Sequence, residues 1–428
     1  MRRSACLLMA ALGAAACAAD EPPQALTVEQ AKAEALRNHP AYAAAQLRAL
    51  LAKESLKETQ SAFFPSATGY VNAVDAGRED TQIMAGAINN STVYDRVAEG
   101  VSVSQLITDF GRTSSLSSGA KSQVRAAVEG AEASREQVLL NAEANYLAAL
   151  QAQAVLKVAR ETLDARQLLV DQVSALAKNQ LKSGLDVSFA QVSQEEAELL
   201  VQKSEGDVEG AMASLGAAMG LRTPQAFVLV DDSRTPDGPG DEGPLVDLAL
   251  RQRPDLLNLQ YQRDAAQSVA AADRDANYPT LAAVGVIGNS FSHDAHLPDD
   301  YAAAGLQLSV PLFAGGAIVA REHESAIRAR VADEALREAE DNAVRDVRLA
   351  LVAARTAFKR LSTTRKLLSH ASEALELARA RYKAGSSSIV ELSDAQLNQT
   401  FAAIALANAE YDTRVQMAVL NFQVGSIH

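Results

Sequence analysis

Two very long stretches of the chain carry apolar residues at the three- and four-residue spacing of an amphipathic helix. They cover residues 112–181 and 317–383, and neither contains a proline. In the first stretch the apolar stripe includes Leu140, Leu147 and Leu169. A helix of about 65–70 residues extends roughly 100 Å, because each residue adds about 1.5 Å. The pattern therefore predicts two very long helices, each followed by a glycine turn and a shorter returning helix.

Before each long helix, two stretches show the period of two that is typical of strands. The four strands are predicted at residues 66–75, 93–107, 280–289 and 301–313. In the last of them, Leu306 and Leu308 fall on one face, and Gln307 and Ser309 fall on the other. Such alternation suits a membrane β-barrel, with lipid outside and water inside. A pair of soluble hairpins would alternate in the same way, so the strands alone do not decide between the two.

The same landmarks occur twice along the chain, in the same order. The pairs are Phe64-Pro65 with Tyr278-Pro279, Val103–Gly111 with Leu308–Gly316, and Leu181–Gly184 with Tyr382–Gly385. The repeat is far longer than the roughly 20–50 residues of a solenoid unit. We interpret the chain as a duplicated half-protein. Its repeats cover residues 26–221 and 244–425, and a linker rich in proline, glycine and aspartate covers 222–243.

Composition excludes several classes of protein. The chain is rich in alanine, contains no tryptophan and has only 4% aromatic residues, which favours closely packed helices. A formal net charge of −13 argues against nucleic acid as a partner, because phosphate binding requires a basic surface. We find no motif of a nucleophile elbow, a phosphate-binding loop or a zinc protease. The sequence therefore predicts neither an enzyme nor a cofactor.

Two other motifs carry little weight. Gly238-Pro-Gly-Asp-Glu-Gly243 matches a dinucleotide-binding pattern by its letters, but its acids would repel a pyrophosphate and no strand–helix–strand unit surrounds it. His293 and His296 have a spacing found in metal sites, but they lie in a predicted surface loop. We interpret both motifs as parts of loops.

The first residues, 1–19, have the features of an export signal. A positively charged start is followed by a short apolar run and small residues, and cleavage is predicted after Ala18 or Ala19. Cys17 allows a second, weaker interpretation, as the lipid-acceptor cysteine of a lipoprotein. The other cysteine, Cys6, also lies in this segment, so we expect no disulfide in the mature chain.

Beyond this signal, no apolar run reaches the length of about 18 residues that a membrane helix needs. An exported protein without such a run can cross a membrane only as a closed β-barrel. Four strands do not close a barrel, since membrane barrels begin at about eight strands and open edges are not tolerated in lipid. If these strands span a membrane, other copies of the chain must complete the sheet.

Motifs in both halves resemble those of the TolC-like outer-membrane efflux protein family. They are Ala62-Phe-Phe-Pro65, Ala276-Asn-Tyr-Pro-Thr280, Leu306–Gly316, Tyr382-Lys-Ala-Gly385 and Ile389–Ala395. The resemblance covers residues 26–425 and implies a mainly α-helical homotrimer in the outer membrane of a Gram-negative bacterium. Four strands per chain would contribute to a twelve-stranded β-barrel. The long α-hairpins would form a trimeric α-barrel tunnel in the periplasm.

The resemblance also implies a function and partners. The chain would be the passive exit channel of a tripartite efflux system for drugs, toxic compounds or metal ions. A periplasmic adaptor protein and an inner-membrane transporter, of the resistance-nodulation-division or ABC type, would complete the system. Type I protein secretion is the alternative within the family. A periplasmic coiled-coil scaffold is the alternative from another class.

In the family an acidic pair near the start of the last helix lines the periplasmic entrance, and the resemblance places it at Glu391 and Asp394. Their spacing puts both carboxylates on one helix face, and a threefold ring of acids would favour cations. Ser388 and Glu391 also match a capping box, which is a second and compatible explanation. In our alignment of the two halves the counterparts are Ala190 and Ser193, so the acids occur only once.

Family members can hold the entrance closed with a tyrosine, an arginine and an aspartate that link neighbouring hairpins. Tyr382 matches the tyrosine, whereas Ser387 stands at the arginine position and Ala190 at the aspartate position. We therefore expect this polar latch to be largely absent. Packing alone also explains a tyrosine at a helix end.

The resemblance places adaptor docking at the two hairpin turns, Gly184-Leu185 and Gly385-Ser386. Glycine is also the usual residue just after a helix end, where the backbone takes a left-handed conformation. The docking role therefore rests on the resemblance alone.

Overall fold

The computed structural model describes residues 24–75, 82–85, 89–92, 95–223, 227–232 and 237–426. The predicted export segment, with Cys17, lies outside the described residues, as do parts of the first strand connection and of the linker. Within the described residues the chain is mainly helical, with long α-hairpins and a four-stranded sheet. The predicted fold class is confirmed in these respects.

Eight helices form in the part of the chain that the structure describes. They are α1 (Val28–Asn38), α2 (Pro40–Ser61), α3 (Arg112–Lys178), α4 (Gly184–Ala218), α5 (Glu242–Gln252), α6 (Pro254–Asp275), α7 (Ala317–Lys383) and α8 (Ile389–Val424). Pro40 and Pro254 are the first residues of their helices, where the missing N–H has no partner to lose. None of the described helices combines the length and the apolar composition that a membrane crossing needs.

Eight strands are described. They are β1 (Gln24–Leu26), β2 (Ser66–Val74), β3 (Gln82–Ala85), β4 (Asn89–Thr92), β5 (Arg96–Thr108), β6 (Phe227–Leu229), β7 (Thr280–His293) and β8 (Asp300–Ser309). The main sheet has the order β2-β5-β7-β8, and all its neighbours are antiparallel. Two small pairs join β1 with β6 and β3 with β4. The main sheet thus combines strands of both predicted repeats and leaves β2 and β8 at its edges.

Two predicted strand ends are corrected. The last strand ends at Ser309 rather than at residue 313, because it is followed closely by Pro311, which has no N–H for the ladder. Its partner continues past residue 289 to His293, where it still pairs with β5. Sequence reasoning missed the pair of β1 and β6, since each strand has only three residues.

By its internal contacts the chain divides into two compact units, and each contains segments of both predicted repeats. The first unit comprises the described residues up to 37, together with 142–235 and 371–411. The second comprises residues 38–141 and 236–370 and those from 412 onward. The first unit holds both hairpin turns, and the second holds the four-stranded sheet.

In the first unit, Tyr146 joins β1 and the end of β6 to α3. Its side chain is 1% exposed, and its hydroxyl lies 2.7 Å from both Leu26 O and Val230 O. The same hydroxyl accepts a hydrogen bond from Val230 N at 3.1 Å. A tyrosine can be this deeply buried because its polar end has hydrogen-bond partners.

In the second unit, α5, α7 and α8 share a small apolar core. Val347 and Leu351 of α7 pack with Leu420 and Val424 of α8 and with Ala249 of α5. Small and branched side chains at these positions let the three helices approach closely.

Candidate functional site: the two hairpin turns

The first turn joins α3 to α4. Its backbone ends α3 with two hydrogen bonds of 2.9 Å, from Gln180 N to Ala177 O and from Leu181 N to Leu176 O. Gln180 takes the left-handed conformation, with a φ of 58°. These are the features of a Schellman cap. The helix therefore ends at Lys178, whereas the sequence analysis predicted an end at residue 181.

A capping box then begins α4. Ser183 Oγ accepts a hydrogen bond from Asp186 N (3.2 Å), and the Asp186 carboxylate accepts one from Ser183 N (3.1 Å). Gly184 is the first residue of α4, and its φ is not positive. The prediction that Gly184 is the glycine that ends the preceding helix is wrong.

The second turn joins α7 to α8 in the same way. Gly385 has a φ of 72°, and Gly385 N donates to Tyr382 O at 3.1 Å. Ser386 N donates to Arg381 O at 2.9 Å and completes the Schellman cap. Here the left-handed position is held by a glycine, as the sequence pattern indicated.

The two turns are equivalent position by position. The equivalent pairs are Lys178 with Lys383 at the helix ends, Gln180 with Gly385 in the left-handed conformation, and Ser183 with Ser388 as caps. Gly184 is therefore not the counterpart of Gly385. Our sequence alignment of the two hairpins is wrong by four residues, which is about one helical turn.

The corrected alignment gives Glu391 a counterpart. Asp186 takes the position of Glu391, three residues after a capping serine, and Phe189 takes the position of Asp394. Ala190 is not the counterpart of Glu391. The prediction that neither acid is repeated is therefore wrong for Glu391, whereas Asp394 still has no acidic counterpart.

The two acids of the predicted entrance pair have different surroundings. Glu391 Oε1 lies 2.7 Å from Arg381 Nη1, and Glu391 N donates to Ser388 Oγ at 3.3 Å. Asp394 is exposed, and within the described residues it has neither an ion pair nor a hydrogen bond. Arg381 therefore neutralises one acid, and Asp394 keeps an uncompensated charge at the surface of α8.

Tyr382 lies in an apolar cluster beneath the second turn. It packs with Leu169 and Val173 of α3, and Lys182 Nζ lies 4.1 Å from the centre of its ring. Burial raises the pKa of Tyr382, and the nearby charge of Asp186 raises it further. Its hydroxyl is buried and has no hydrogen-bond partner within the described residues.

These surroundings correct one expectation about the latch. The sequence alignment put Ala190 at the aspartate position, but Ala190 is a buried core residue of α4. The aspartate near Tyr382 is Asp186. Ser387 does stand in the second turn, where its hydroxyl is buried without a partner among the described residues.

The four predicted docking residues, Gly184, Leu185, Gly385 and Ser386, are all exposed at the turns, and Leu185 is 65% exposed. Leu181, which the sequence analysis did not include, is 69% exposed beside them. Two large apolar side chains at one short turn are a surface that a protein partner can cover.

Sequence reasoning missed Arg166, a buried cation in α3. Its side chain is 5% exposed, its Nη1 donates to Ser193 O at 3.0 Å, and Glu196 lies 3.8 Å away. Burial lowers the pKa of Arg166, and Glu196 opposes this shift. The signal was present in the sequence, because Arg166 stands midway between Ala159 and Val173 at the seven-residue spacing of a buried helix face.

Arg166 also lines a cavity of about 290 Å³ in the first unit. Thr162, Gln396 and Thr400 contribute to its wall, and the two threonine hydroxyls lie 3.3 Å apart. Arg166 Nε and Gln396 Oε1 have no partner among the described residues. The space is roomy and polar enough to hold water.

The prediction that both histidines lie in a loop is wrong for His293, which is the last residue of β7 and pairs with Arg96, whereas His296 lies in the turn that follows. His293 Nε2 lies 2.9 Å from Asp299 Oδ1, and His296 Nδ1 lies 2.5 Å from Asp294 Oδ1. Nowhere in the described residues do three or more histidine, cysteine or acidic side chains come together in a way that could hold a metal ion.

A family model described as "Outer membrane efflux protein" matches residues 32–221 and 245–426. The chain belongs to the outer membrane efflux protein family. The predicted resemblance is therefore confirmed, and the two hairpin turns described above lie one in each matched segment.

Individual relatives agree with this assignment. The chain is 28% identical to the outer membrane protein OprJ of Pseudomonas aeruginosa over 374 residues, which are 82% of this chain and 74% of OprJ. It is 24% identical to the cation efflux system protein CusC of Escherichia coli over 382 residues, which are 85% of this chain and 78% of CusC.

Solved structures show the same fold. A crystal structure of CusC superposes with a TM-score of 0.80 at 21% identity, over 93% of this chain and 92% of that one. The open state of the MtrE outer membrane channel of Neisseria gonorrhoeae gives a TM-score of 0.77 at 19% identity, over 93% and 88% of the two chains. This efflux protein is an outer-membrane channel of a tripartite efflux system, with a tunnel in the periplasm.

Proposed function

We propose that three copies of this chain form the exit channel through which a periplasmic adaptor and an inner-membrane transporter expel small molecules or metal ions. The hairpin turns are the periplasmic entrance, and they are also the surface on which the adaptor docks. The observation that supports this proposal is that the exposed, uncompensated Asp394 and several exposed apolar side chains lie at the same end of the first unit.

The open sheet supports assembly with further copies. β2 and β8 are edge strands, and each has one row of backbone N–H and C=O groups without a strand partner in the described chain. Unpaired edges attract further strands, and in lipid they must be paired. Pairing of β2 in one copy with β8 in the next satisfies both edges with a single kind of contact.

Asp394 is the residue that we propose to control passage at the entrance. Three copies would bring three Asp394 carboxylates to the same level of the tunnel, and such a ring attracts cations. Glu391 contributes less to this field, because Arg381 pairs with it at 2.7 Å. Its main role is to cap α8 together with Ser388.

Leu181, Leu185, Gly385 and Ser386 are the docking residues in this proposal. Both turns are closed by Schellman caps and capping serines, so their backbones present a fixed surface. The larger apolar contribution comes from the first hairpin, since Gly385 and Ser386 offer only small side chains and Val390, at the position of Leu185, is 45% exposed.

Type I protein secretion remains the second candidate within this family, and Cys17 remains the candidate lipid acceptor. A transporter gene of the ABC type beside the gene for this chain would favour secretion. A proton-driven transporter gene would favour small-molecule efflux. A periplasmic coiled-coil scaffold is disfavoured by the four-stranded sheet, which has exposed apolar side chains.

A photo-crosslinking amino acid tests the docking surface in cells. Placed at Leu185 or Ser386, it is expected to form an adduct with the adaptor that is encoded beside this chain. Leu199 is the matched control, because it is 66% exposed on α4 but lies about 20 Å further from the turn. Equal adaptor adducts at Leu185 and Leu199, or adducts at neither turn, would contradict docking at the turns.

A further inference from the structure

One row of residues crosses the whole four-stranded sheet. Tyr70 of β2 is paired with Gly100 of β5, Gly100 with Gly288 of β7, and Gly288 with Tyr301 of β8. Directly paired residues point to the same face of a sheet. A tyrosine at each edge therefore flanks two glycines on one face.

The two tyrosines meet above the glycines. Their hydroxyls lie 3.0 Å apart, although β2 and β8 are separated by two intervening strands. Tyr301 donates to Glu99 O at 3.0 Å, so Tyr70 is the donor in the contact between the hydroxyls. This pair links the two edge strands of the sheet through side chains.

Only glycine leaves room for this arrangement. A Cβ added to Gly100 would lie 2.6 Å from the Tyr301 hydroxyl and 2.8 Å from that of Tyr70. A Cβ on Gly288 would overlap the Tyr301 hydroxyl and ring. Glycine normally weakens a strand, and an aromatic ring packed over it restores the lost contacts. The row is therefore a built feature of the sheet rather than a chance contact.

The tyrosines lie on the polar face. The polar neighbours on this face are Ser66, Thr68, Asn72, Ser102, Ser104, Gln307 and Ser309, and β7 adds Val284 and Val286 to it. The opposite face carries the exposed apolar side chains Val71, Val101, Val103, Ile287, Leu306 and Leu308. In an outer-membrane channel the apolar face meets lipid, so the tyrosine pair faces the water-filled interior.

We propose that Tyr70 and Tyr301 form a brace that fixes the spacing and curvature of the two edge strands, and thereby determines how a second copy of the chain joins the sheet. The inference rests on the trimer proposed above. A four-stranded sheet can twist and curl over a wide range. Three such sheets can join into a closed barrel only if the two edge strands of each sheet lie at the same angle to one another. A link between the edge strands on the inner face fixes that angle.

A double-mutant cycle on the full chain tests the brace. The wild type, Tyr70→Ala, Tyr301→Ala and the double variant are extracted from the outer membrane in mild detergent. The temperature at which the trimer dissociates is then measured on gels. Each single substitution is expected to lower this temperature by about 5 °C or more. The double variant is expected to be no worse than either single one, because each already removes the brace.

Three further variants control for the loss of a ring and for failure to fold. Phe291→Ala removes an aromatic side chain that is 58% exposed on β7, and it is expected to leave the temperature unchanged. Tyr70→Phe and Tyr301→Phe keep the rings over the glycines and remove the contact between the hydroxyls, and Tyr301→Phe also removes the hydrogen bond to Glu99 O. Each is expected to assemble and to dissociate at an intermediate temperature.

The outcomes separate the brace from the trimer itself. The brace is contradicted if the single variants dissociate at the wild-type temperature. It is also contradicted if the temperature losses of Tyr70→Ala and Tyr301→Ala add in full in the double variant. Neither result contradicts the trimer. A wild-type chain that is not a trimer overturns the proposed assembly, and with it the role of the brace.

Discussion

Asp186 and Glu391 occupy the same position in the two hairpins of the chain, three residues after the serines that cap α4 and α8. One acid lies near Tyr382, and the other is paired with Arg381. Their equivalence shows that the duplication extends through the turns without an insertion. It also leaves Asp394 as the acid that only the second hairpin possesses.

Substitutions in the turns should follow this equivalence. Gln180→Gly should stabilise the first hairpin by about 1 kcal/mol, because glycine adopts the left-handed conformation without strain. Gly385→Ala should destabilise the second hairpin by a similar amount. Gly184→Ala should be neutral or stabilising, since Gly184 is helical and nothing lies within 4 Å of an added Cβ. Thermal unfolding of the three variants measures these effects. If Gly184→Ala lost as much stability as Gly385→Ala, Gly184 would be the counterpart of Gly385 after all.

The electrostatic attraction of cations to the entrance should depend on Asp394 more than on Glu391. Asp394→Asn is expected to raise the concentration of a multivalent cation that blocks the channel by about tenfold, since it removes three uncompensated charges from the ring. Glu391→Gln should have a smaller effect, because Arg381 already neutralises that carboxylate. Single-channel recordings in planar bilayers measure the block. Equal effects of the two substitutions would contradict the proposed roles.

Arg381→Ala should change the blocking concentration of the cation in the opposite direction. It frees the Glu391 carboxylate, which lies 2.7 Å from the guanidinium in the intact protein. The same cation is then expected to block at a lower concentration than in the wild type. The matched control is Arg379→Ala, another exposed arginine of α7 for which we find no ion pair within the described residues. Arg379→Ala should change the blocking concentration less than Arg381→Ala does.

Tyr382 should stabilise the second turn through its ring and not through its hydroxyl. The hydroxyl is buried without a partner among the described residues, so Tyr382→Phe is expected to unfold at the same temperature or a higher one. Tyr382→Ala should cost about 3 kcal/mol, because it leaves a cavity beside Leu169 and Val173. A large loss of stability in the Phe variant would show that the hydroxyl bonds to a neighbouring copy, as a latch requires.

Glu136 should make the second unit less stable as the pH rises. Burial raises its pKa from 4.5 to about 7, with the charge of Asp255 adding to the shift and that of Arg135 opposing it. Between about pH 4.5 and pH 7 the folded chain binds more protons than the unfolded chain, so stability falls across that range.

Glu136→Gln should therefore stabilise the protein more at pH 8 than at pH 5, by a difference on the order of 1 kcal/mol. Melting temperatures of the wild type and the variant at both pH values measure this difference. The exposed Glu338→Gln serves as control and should show no such dependence. A gain for Glu136→Gln that is equal at both pH values would contradict a buried, protonated carboxyl.

Long periodic patterns predicted most of the fold. The two long helices and the four strands of the sheet follow from apolar spacing. The turns were harder, because a glycine four residues away from the correct position gave a better match of letters than Gln180 did. A residue other than glycine in the left-handed conformation is uncommon, so the sequence favoured the wrong register.

Contacts between distant side chains could not be predicted from the sequence. Arg381 and Glu391 lie in different helices, and their pairing depends on the shape of the turn between them. Tyr70 and Tyr301 stand in different repeats and meet only because Gly100 and Gly288 fall in the same row. Register between strands of the two halves is set by the folded sheet and not by either segment alone.

The decisive measurement for the proposed trimeric channel is the number of copies in the complex that forms in the outer membrane. Membranes from cells that express the chain are separated, the outer membrane is extracted in mild detergent, and the mass of the intact protein complex is measured. We expect a particle with three copies of the chain, found in the outer-membrane fraction. A single-copy or two-copy particle, or a chain recovered with the soluble periplasmic proteins, would contradict it.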